Sequence, residues 1–242
     1  MTEITIHTLG QIKARDPYVV LGLPGTGLVG SVAAAQLVES LKMEFVGYIS
    51  SPDFAPLAAI HDYMPMPAAR IHYSSKYNVV VILSEMNIPV ASSMALADKI
   101  YEFSKMLNAC MVVSLGGISL KEQPDQVYSI ASDQKLMRPL IEKKLAKPIR
   151  EGATSGVSGI LLARGVIDKF PMLSILAESS EEYLDPRAAA NALRALAAII
   201  KTRIDTGRLE EEAVEIAAEM REKILKSKTP KKIGPADASM YG

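Results

Sequence analysis

The chain reads as an α/β domain: a mixed, mostly parallel sheet with helices on both of its faces. Three observations predict this. The runs Tyr18–Leu23, Asn78–Leu83, Cys110–Leu115 and Met172–Ala177 are short and predominantly apolar, as strands covered on both sides are. Segments with helical periodicity alternate with them. A glycine-bearing turn, Pro24-Gly-Thr-Gly27, joins the first run directly to a helix, which makes a βα unit.

Taken in order, Glu3–Leu9 alternates weakly and suits an edge strand, and Gly10–Pro17 is a polar connection. The helix after the glycine turn carries Leu28, Val32, Ala35, Val38 and Leu41 at helical spacing, the apolar face of an amphipathic element. Glu44–Ser50 is the next strand. Ser51–Ala69 holds Pro52, Pro56, Pro65 and Pro67 and reads as a loop with too few amide donors for regular structure. Arg70–Tyr73 and Asn78–Leu83 flank a short polar link and predict a hairpin with a central second strand.

Pro89–Leu107 is a helix with Val90, Met94, Ala97, Tyr101 and Met106 among its apolar positions. Cys110–Leu115 is a buried strand ended by Gly116-Gly117, and Cys110 is expected to be a small buried hydrophobe. Gln126–Ala131 is a strand. Asp133 suits the N-cap of a helix to Leu145. A short helix falls within Gly152–Gly165, and Met172–Ala177 is the last strand. Asp185-Pro186 starts a helix that runs to about Ile204 and ends at Gly207.

The final helix, Leu209–Lys226, has acids at its start and lysines at its end, which suits the helix dipole, and Glu219–Lys223 and Glu222–Lys226 are supporting pairs. Its apolar stripe of Ala213, Ile216, Met220 and Ile224 is thin, which places it peripherally or against a partner. Residues 1–226 thus form one domain with helix 209–226 at its end, and 227–242 a flexible polar tail.

The composition narrows the function classes. Of 242 residues, 49% are hydrophobic and 22% charged, an ordinary globular balance. Lys+Arg and Asp+Glu are both 27, so no net charge points to nucleic acid or to a membrane surface. Trp is absent and aromatics are 5%, which argues against a base-stacking surface. A single cysteine and three scattered histidines offer no disulfide and no zinc cluster; a reducing cytoplasmic setting fits. No apolar run approaches the eighteen or so residues of a membrane span.

Three motifs are candidates to carry chemistry. Gly25, Gly27 and Gly30 have the G-x-G-x-x-G spacing of a dinucleotide fingerprint. That site also needs an acid at the end of the second strand to hold a ribose hydroxyl, whereas Glu44 begins its strand. The alternative is that the glycines permit a tight turn and close helix–strand contact. A P-loop's Gly-Lys-Ser/Thr ending is absent.

Glu85 and Glu178 follow apolar strands, where α/β enzymes place their acids and bases; capping of neighbouring loop amides is the plainer role. His7, His61 and His72 share no metal spacing, and Ser155 and Ser158 do not form a G-x-S-x-G elbow. The chain closes on Met240-Tyr241-Gly242, an apolar anchor, a ring with a hydroxyl and a free carboxylate, at the end of a coil able to reach roughly 20 Å. These are handles for capture of a chain end by a pocket with a lysine.

Leu21-Gly-Leu-Pro-Gly-Thr-Gly-Leu-Val-Gly30 resembles the opening motif of the proteasome assembly chaperone family in its archaeal branch. Val113–Ile118, Thr154–Leu162 and Leu176–Ser179 resemble its later segments, in order, over roughly residues 15–205. The resemblance implies a three-layer α/β/α sandwich similar to phosphorylase/hydrolase-type folds. It implies a cytoplasmic, ATP-independent homo-oligomer without cofactor that binds proteasome α-subunits. Some members dock a C-terminal hydrophobic–Tyr–any motif between α-subunits; here that motif is Met240, Tyr241 and Gly242. Two other readings stay open. One is an enzyme on a nucleoside-like or nucleotide-like substrate using Gly25, Gly27, Glu85 and Glu178; the other is an oligomeric scaffold for another small protein.

Overall fold

A computed structural model describes residues 3–120, 123–181 and 183–228. One nine-stranded sheet runs through it. The middle is parallel: β2 (Tyr18–Gly22) lies between β7 (Val79–Ser84) and β8 (Met111–Ile118), and β11 (Met172–Glu178) follows β8. Antiparallel pairs extend both flanks. On one side β7 pairs with β6 (Ala69–Ser74), β6 with β3 (Glu44–Ser50) and β3 with β1 (Thr5–Thr8). On the other, β11 pairs with β9 (Val127–Ala131), which carries the two-residue β10 (Lys147–Pro148).

Helices cover both faces, giving three layers. Alternate residues of each central strand feed opposite cores. Val20, Val81, Leu83, Val113, Leu173 and Ile175 meet α1 (Val29–Ser40) and α5 (Pro186–Ile200). Val19, Leu21, Val80, Ile82 and Val112 meet α2 (Ser93–Met106) and α4 (Gly156–Asp168). The short α3 (Arg138–Glu142) flanks α5 near β9, and α6 (Gly207–Lys228) lies along α5. No helix of the described residues is long and apolar enough to cross a membrane.

Several sequence expectations need correction. The buried face of α1 is Val29, Gly30, Ala33, Ala34 and Leu37, whereas Leu28 is exposed and Val32, Ala35 and Val38 are only partly covered. The helix is apolar nearly all round, so periodicity does not choose its inner side. Steric room does, because a Cβ at Gly22 would stand 2.2 Å from the Ala34 Cβ and one at Gly30 2.5 Å from the Leu115 carbonyl oxygen.

The proline-rich stretch is not structureless. It forms a two-stranded ribbon, β4 (Ala58–His61) with β5 (Met64–Pro67). Pro65 and Pro67 take alternate positions, so the amides of Met64 and Met66 remain as donors between them, and a two-stranded ribbon has free edges for the prolines. Its turn residues, Asp62 and Tyr63, both have positive φ, at 47° and 65°, the two-residue reversal that glycine usually advertises.

Strand β8 runs through Gly116-Gly117 rather than stopping there, paired with Leu176 and Ala177 of β11. Cys110 is exposed, since it precedes the strand and only its amide is tied in, to the Pro17 carbonyl. Asp133 caps the Lys135 amide as expected, but only a 3-10 turn (Gln134–Met137) and the five-residue α3 follow. Helix α5 ends at Ile200 with Lys201 left-handed, and Gly207 begins α6, its amide held by the Asp205 carboxylate at 3.0 Å. The pairs Glu219–Lys223 and Glu222–Lys226 lie outside the residues whose side chains are described, and most of the tail 227–242 lies outside the described chain.

Candidate functional site at the carboxyl edge of the sheet

The loops after β2, β7, β8 and β11 share one edge of the sheet, where a parallel sheet presents its loops to ligands. The glycine turn is at its centre. Gly25 is extended, and a Cβ there would meet nothing within 4 Å. Gly27 is buried with φ +60, and a Cβ would fall 1.9 Å from Ser179 Oγ. Its carbonyl accepts a hydrogen bond from the Asp185 amide at 3.0 Å. A Cβ on Gly117 would fall 2.2 Å from the Thr26 carbonyl oxygen. The turn is therefore packed between β8 and the loop after β11. Glu44 sits at the opposite end of β3, and β3 is separated from β2 by β6 and β7.

Neighbouring strands β2 and β7 send their helices to opposite faces, α1 to one and α2 to the other. A crevice opens at such a switch point. Here it is a groove of about 360 Å³ lined by Pro24, Leu28, Val32, Ala35, Glu85 and Asn87. Glu85 is engaged from behind. Arg70, in β6 and only 4% exposed, donates from Nη2 to Glu85 Oε1 at 2.9 Å and from Nη1 to the Pro67 carbonyl at 3.3 Å. His61 Nε2 of the β4–β5 ribbon lies 2.9 and 3.0 Å from the two Glu85 oxygens and 3.1 Å from Arg70 Nη2.

His72, two residues along β6 from Arg70, is buried beside Phe45. Burial first, and the Arg70 charge second, lower its imidazole to about 4. Neither ring nitrogen has a hydrogen-bond partner of good geometry, although the Met43 backbone is near enough to oppose the shift slightly.

A second cavity, about 580 Å³, opens at the ends of β8 and β11, between the start of α5 and Ala213 and Ile216 of α6. Glu178 lines it and accepts the Leu120 amide at 3.0 Å. Asp125 is bound there by Arg187 and Asn191, and Asp185 caps the Ala188 amide at 3.0 Å.

Glu85 and Glu178 are not brought together. Strands β2 and β8 lie between β7, which Glu85 follows, and β11, which ends on Glu178, three spacings or roughly 14 Å, and Glu85 is turned to Arg70 and His61 while Glu178 holds the Leu120 amide. His7 binds Ser50 Oγ at 2.8 Å and stacks on Tyr48. Ser155 precedes α4 without capping it, and Ser158 lies on that helix. Among the described residues no group of three His, Cys, Asp or Glu side chains could hold a metal. Met240, Tyr241 and Gly242 lie outside the described residues. The Arg70–His61–Glu85 triangle was not legible in the sequence; its one signal is a charged residue, Arg70, in a strand buried along its whole length.

The model of the PAC2 family matches residues 19–224. A protein of Methanocaldococcus jannaschii described as uncharacterized is 29% identical over 212 residues, 88% of this chain and 87% of that one. Pyrococcus furiosus PbaA, described as an archaeal homolog of proteasome-assembly chaperone, superposes with a TM-score of 0.81 at 26% identity, covering 92% of each chain. PbaB of the same organism, described as an archaeal proteasome activator, gives 0.80 at 26% identity, with 93% of this chain and 100% of that one covered.

Proposed function

Because the chain belongs to the PAC2 family, we propose that it is a proteasome-binding factor of the assembly-chaperone type, not an enzyme, acting in the cytoplasm without ATP or other cofactor. The observation that carries this reading is the match in fold, over more than nine-tenths of the chain, to both a chaperone homolog and a proteasome activator. In this reading Met240, Tyr241 and the Gly242 carboxylate are captured between proteasome α-subunits. A homo-oligomer presents several tails at once, and avidity makes up for the weakness of each.

Exposed apolar side chains support assembly into an oligomer. Ile60, Tyr63 and Met64 on the ribbon and its turn, Val90 in the 3-10 turn before α2 and Met94 on α2, and Val166 and Ile167 on α4 are all open to solvent. The described part of α6 contributes Leu209 to the chain's own core and leaves Val214 exposed as well.

The test is capture of purified proteasome α-rings by full-length protein, by a chain lacking Met240–Gly242, and by Tyr241→Ala. Loss of capture in both variants, with unchanged circular dichroism and no effect of added ATP, is expected. Undiminished capture by the shortened chain would defeat the tail's role. Co-purification of a different small protein, with α-rings ignored, would favour the scaffold reading. The enzyme reading is weakened by the distance between Glu85 and Glu178 and by the packing of Gly27, and it is tested separately below.

A further inference from the structure

The chain has no net charge, yet its charges are not evenly spread. Residues 133–150 hold six cations, Lys135, Arg138, Lys143, Lys144, Lys147 and Arg150, against the acids Asp133 and Glu142, a local net charge of +4. All six cations are exposed, and among the described residues none makes an ion pair. Elsewhere Arg70, Arg164, Arg187, Arg194 and Arg208 have carboxylate partners, and the cations without one, such as Arg15, Lys42, Lys76 and Arg203, are scattered along the chain instead of clustered.

The segment is fixed in place. Met137, Leu140 and Ala146 are buried in the core beside α5. Asp133 caps the first turn, the Leu145 amide binds the Leu140 carbonyl at 2.8 Å, and the Ile149 amide binds Ser129 in β9 at 3.0 Å. The lobe closes the β9–β10 end of the sheet, away from the carboxyl-edge loops of β2 and β7.

We propose that this lobe is a docking surface for a carboxylate-rich protein surface. Unpaired cations held on a rigid scaffold repel one another, and a facing set of carboxylates relieves that repulsion while steering encounter. Protein fits better than nucleic acid. Residues 133–150 contain no Phe, Tyr or Trp on which bases could stack, whereas exposed Ile141, Pro139 and Pro148 supply apolar contact among the charges, as protein interfaces require. The inference stands apart from the tail-capture reading, since it uses a different part of the chain.

The test is binding of the full-length protein to immobilised poly-L-glutamate, with single-stranded DNA as the phosphate counterpart, at roughly 50 and 200 mM salt. Lys143→Glu/Lys144→Glu/Lys147→Glu reverses three charges. Lys143→Gln/Lys144→Gln/Lys147→Gln removes them without reversal and serves if the first fails to fold. Lys231→Gln/Lys232→Gln controls for the tail.

Wild type and the tail control are expected to bind poly-glutamate, weakening about tenfold as salt rises. The two lobe variants are expected to lose about tenfold at low salt with unchanged circular dichroism. Equal binding by the Gln variant would overturn the proposal. So would DNA bound tenfold more tightly than poly-glutamate, and so would salt-sensitive self-association, lost in the variants, in the absence of poly-glutamate binding.

Discussion

Gly27 and Ser179 compete for one carbon's worth of space: a Cβ on the glycine would sit 1.9 Å from the serine hydroxyl oxygen. The contact joins the first βα turn to the loop after the last strand. The Asp185 amide secures the same junction on the Gly27 carbonyl.

Gly27→Val is therefore expected to destabilise the fold by about 2–5 kcal/mol, from positive φ and overpacking together. Urea unfolding measures it, and a loss under 0.5 kcal/mol would refute the packing role. Gly25→Ala, at an extended and open position, should change stability by less than about 0.5 kcal/mol. It is the cleaner probe of nucleotide binding. If nucleotides or nicotinamide cofactors raise the melting temperature of wild type by several degrees and Gly25→Ala abolishes the rise, the enzyme reading gains and the chaperone reading suffers.

Glu85→Ala strands the buried Arg70 guanidinium. Because the Glu85 side chain is 24% exposed, the expected loss is about 1–3 kcal/mol, below that of a fully buried pair. Adding Arg70→Met should recover part of it, since no charge is then left unpaired. A double-mutant cycle in denaturant reads this, and strict additivity would show that the pair carries no coupling.

His72 makes stability depend on pH. Its imidazole is held neutral, about 4 in the fold against the usual 6.5, so the unfolded chain binds a proton that the folded chain refuses. The contribution is fully present above pH 6.5 and is lost as pH falls toward 4. Moving from pH 7 to 5 should remove on the order of 2 kcal/mol, at 1.4 kcal/mol per pH unit below 6.5. His72→Phe should flatten that difference; the same acid sensitivity in the variant would assign it to other groups.

The two sides of α1 should respond differently to added bulk. Ala34→Leu, against Gly22, is expected to cost about 1–3 kcal/mol or more, while Ala35→Leu, beside the open groove, should stay within about 1 kcal/mol. The reverse ranking would restore the face inferred from periodicity.

Local chemistry was legible wherever it acts at short range. Asp185-Pro186 starts α5 and Asp133 caps its turn because a carboxylate two or three residues before an amide needs no distant partner. The apolar runs of β2, β7 and β11 announced a sheet covered on both sides, and with helices between them the α/β architecture followed. The β4–β5 ribbon was hidden because Asp62 and Tyr63 adopt positive φ without a glycine to signal it.

Sequence by itself determined the layers, the strands of the sheet's middle and the caps at Asp133 and Asp185, because hydrophobic period and local hydrogen bonding are properties of neighbours along the chain. Tertiary structure decided which side of α1 faces inward, that Gly27 is walled in by Ser179, that Glu85 answers to Arg70 and His61, and that Glu85 and Glu178 stand apart. Close packing at Gly22 and Gly30 decides the first, and strand order governs the other three. Residues 15 to 152 positions apart become neighbours or strangers according to where their strands enter the sheet, and no local pattern encodes that.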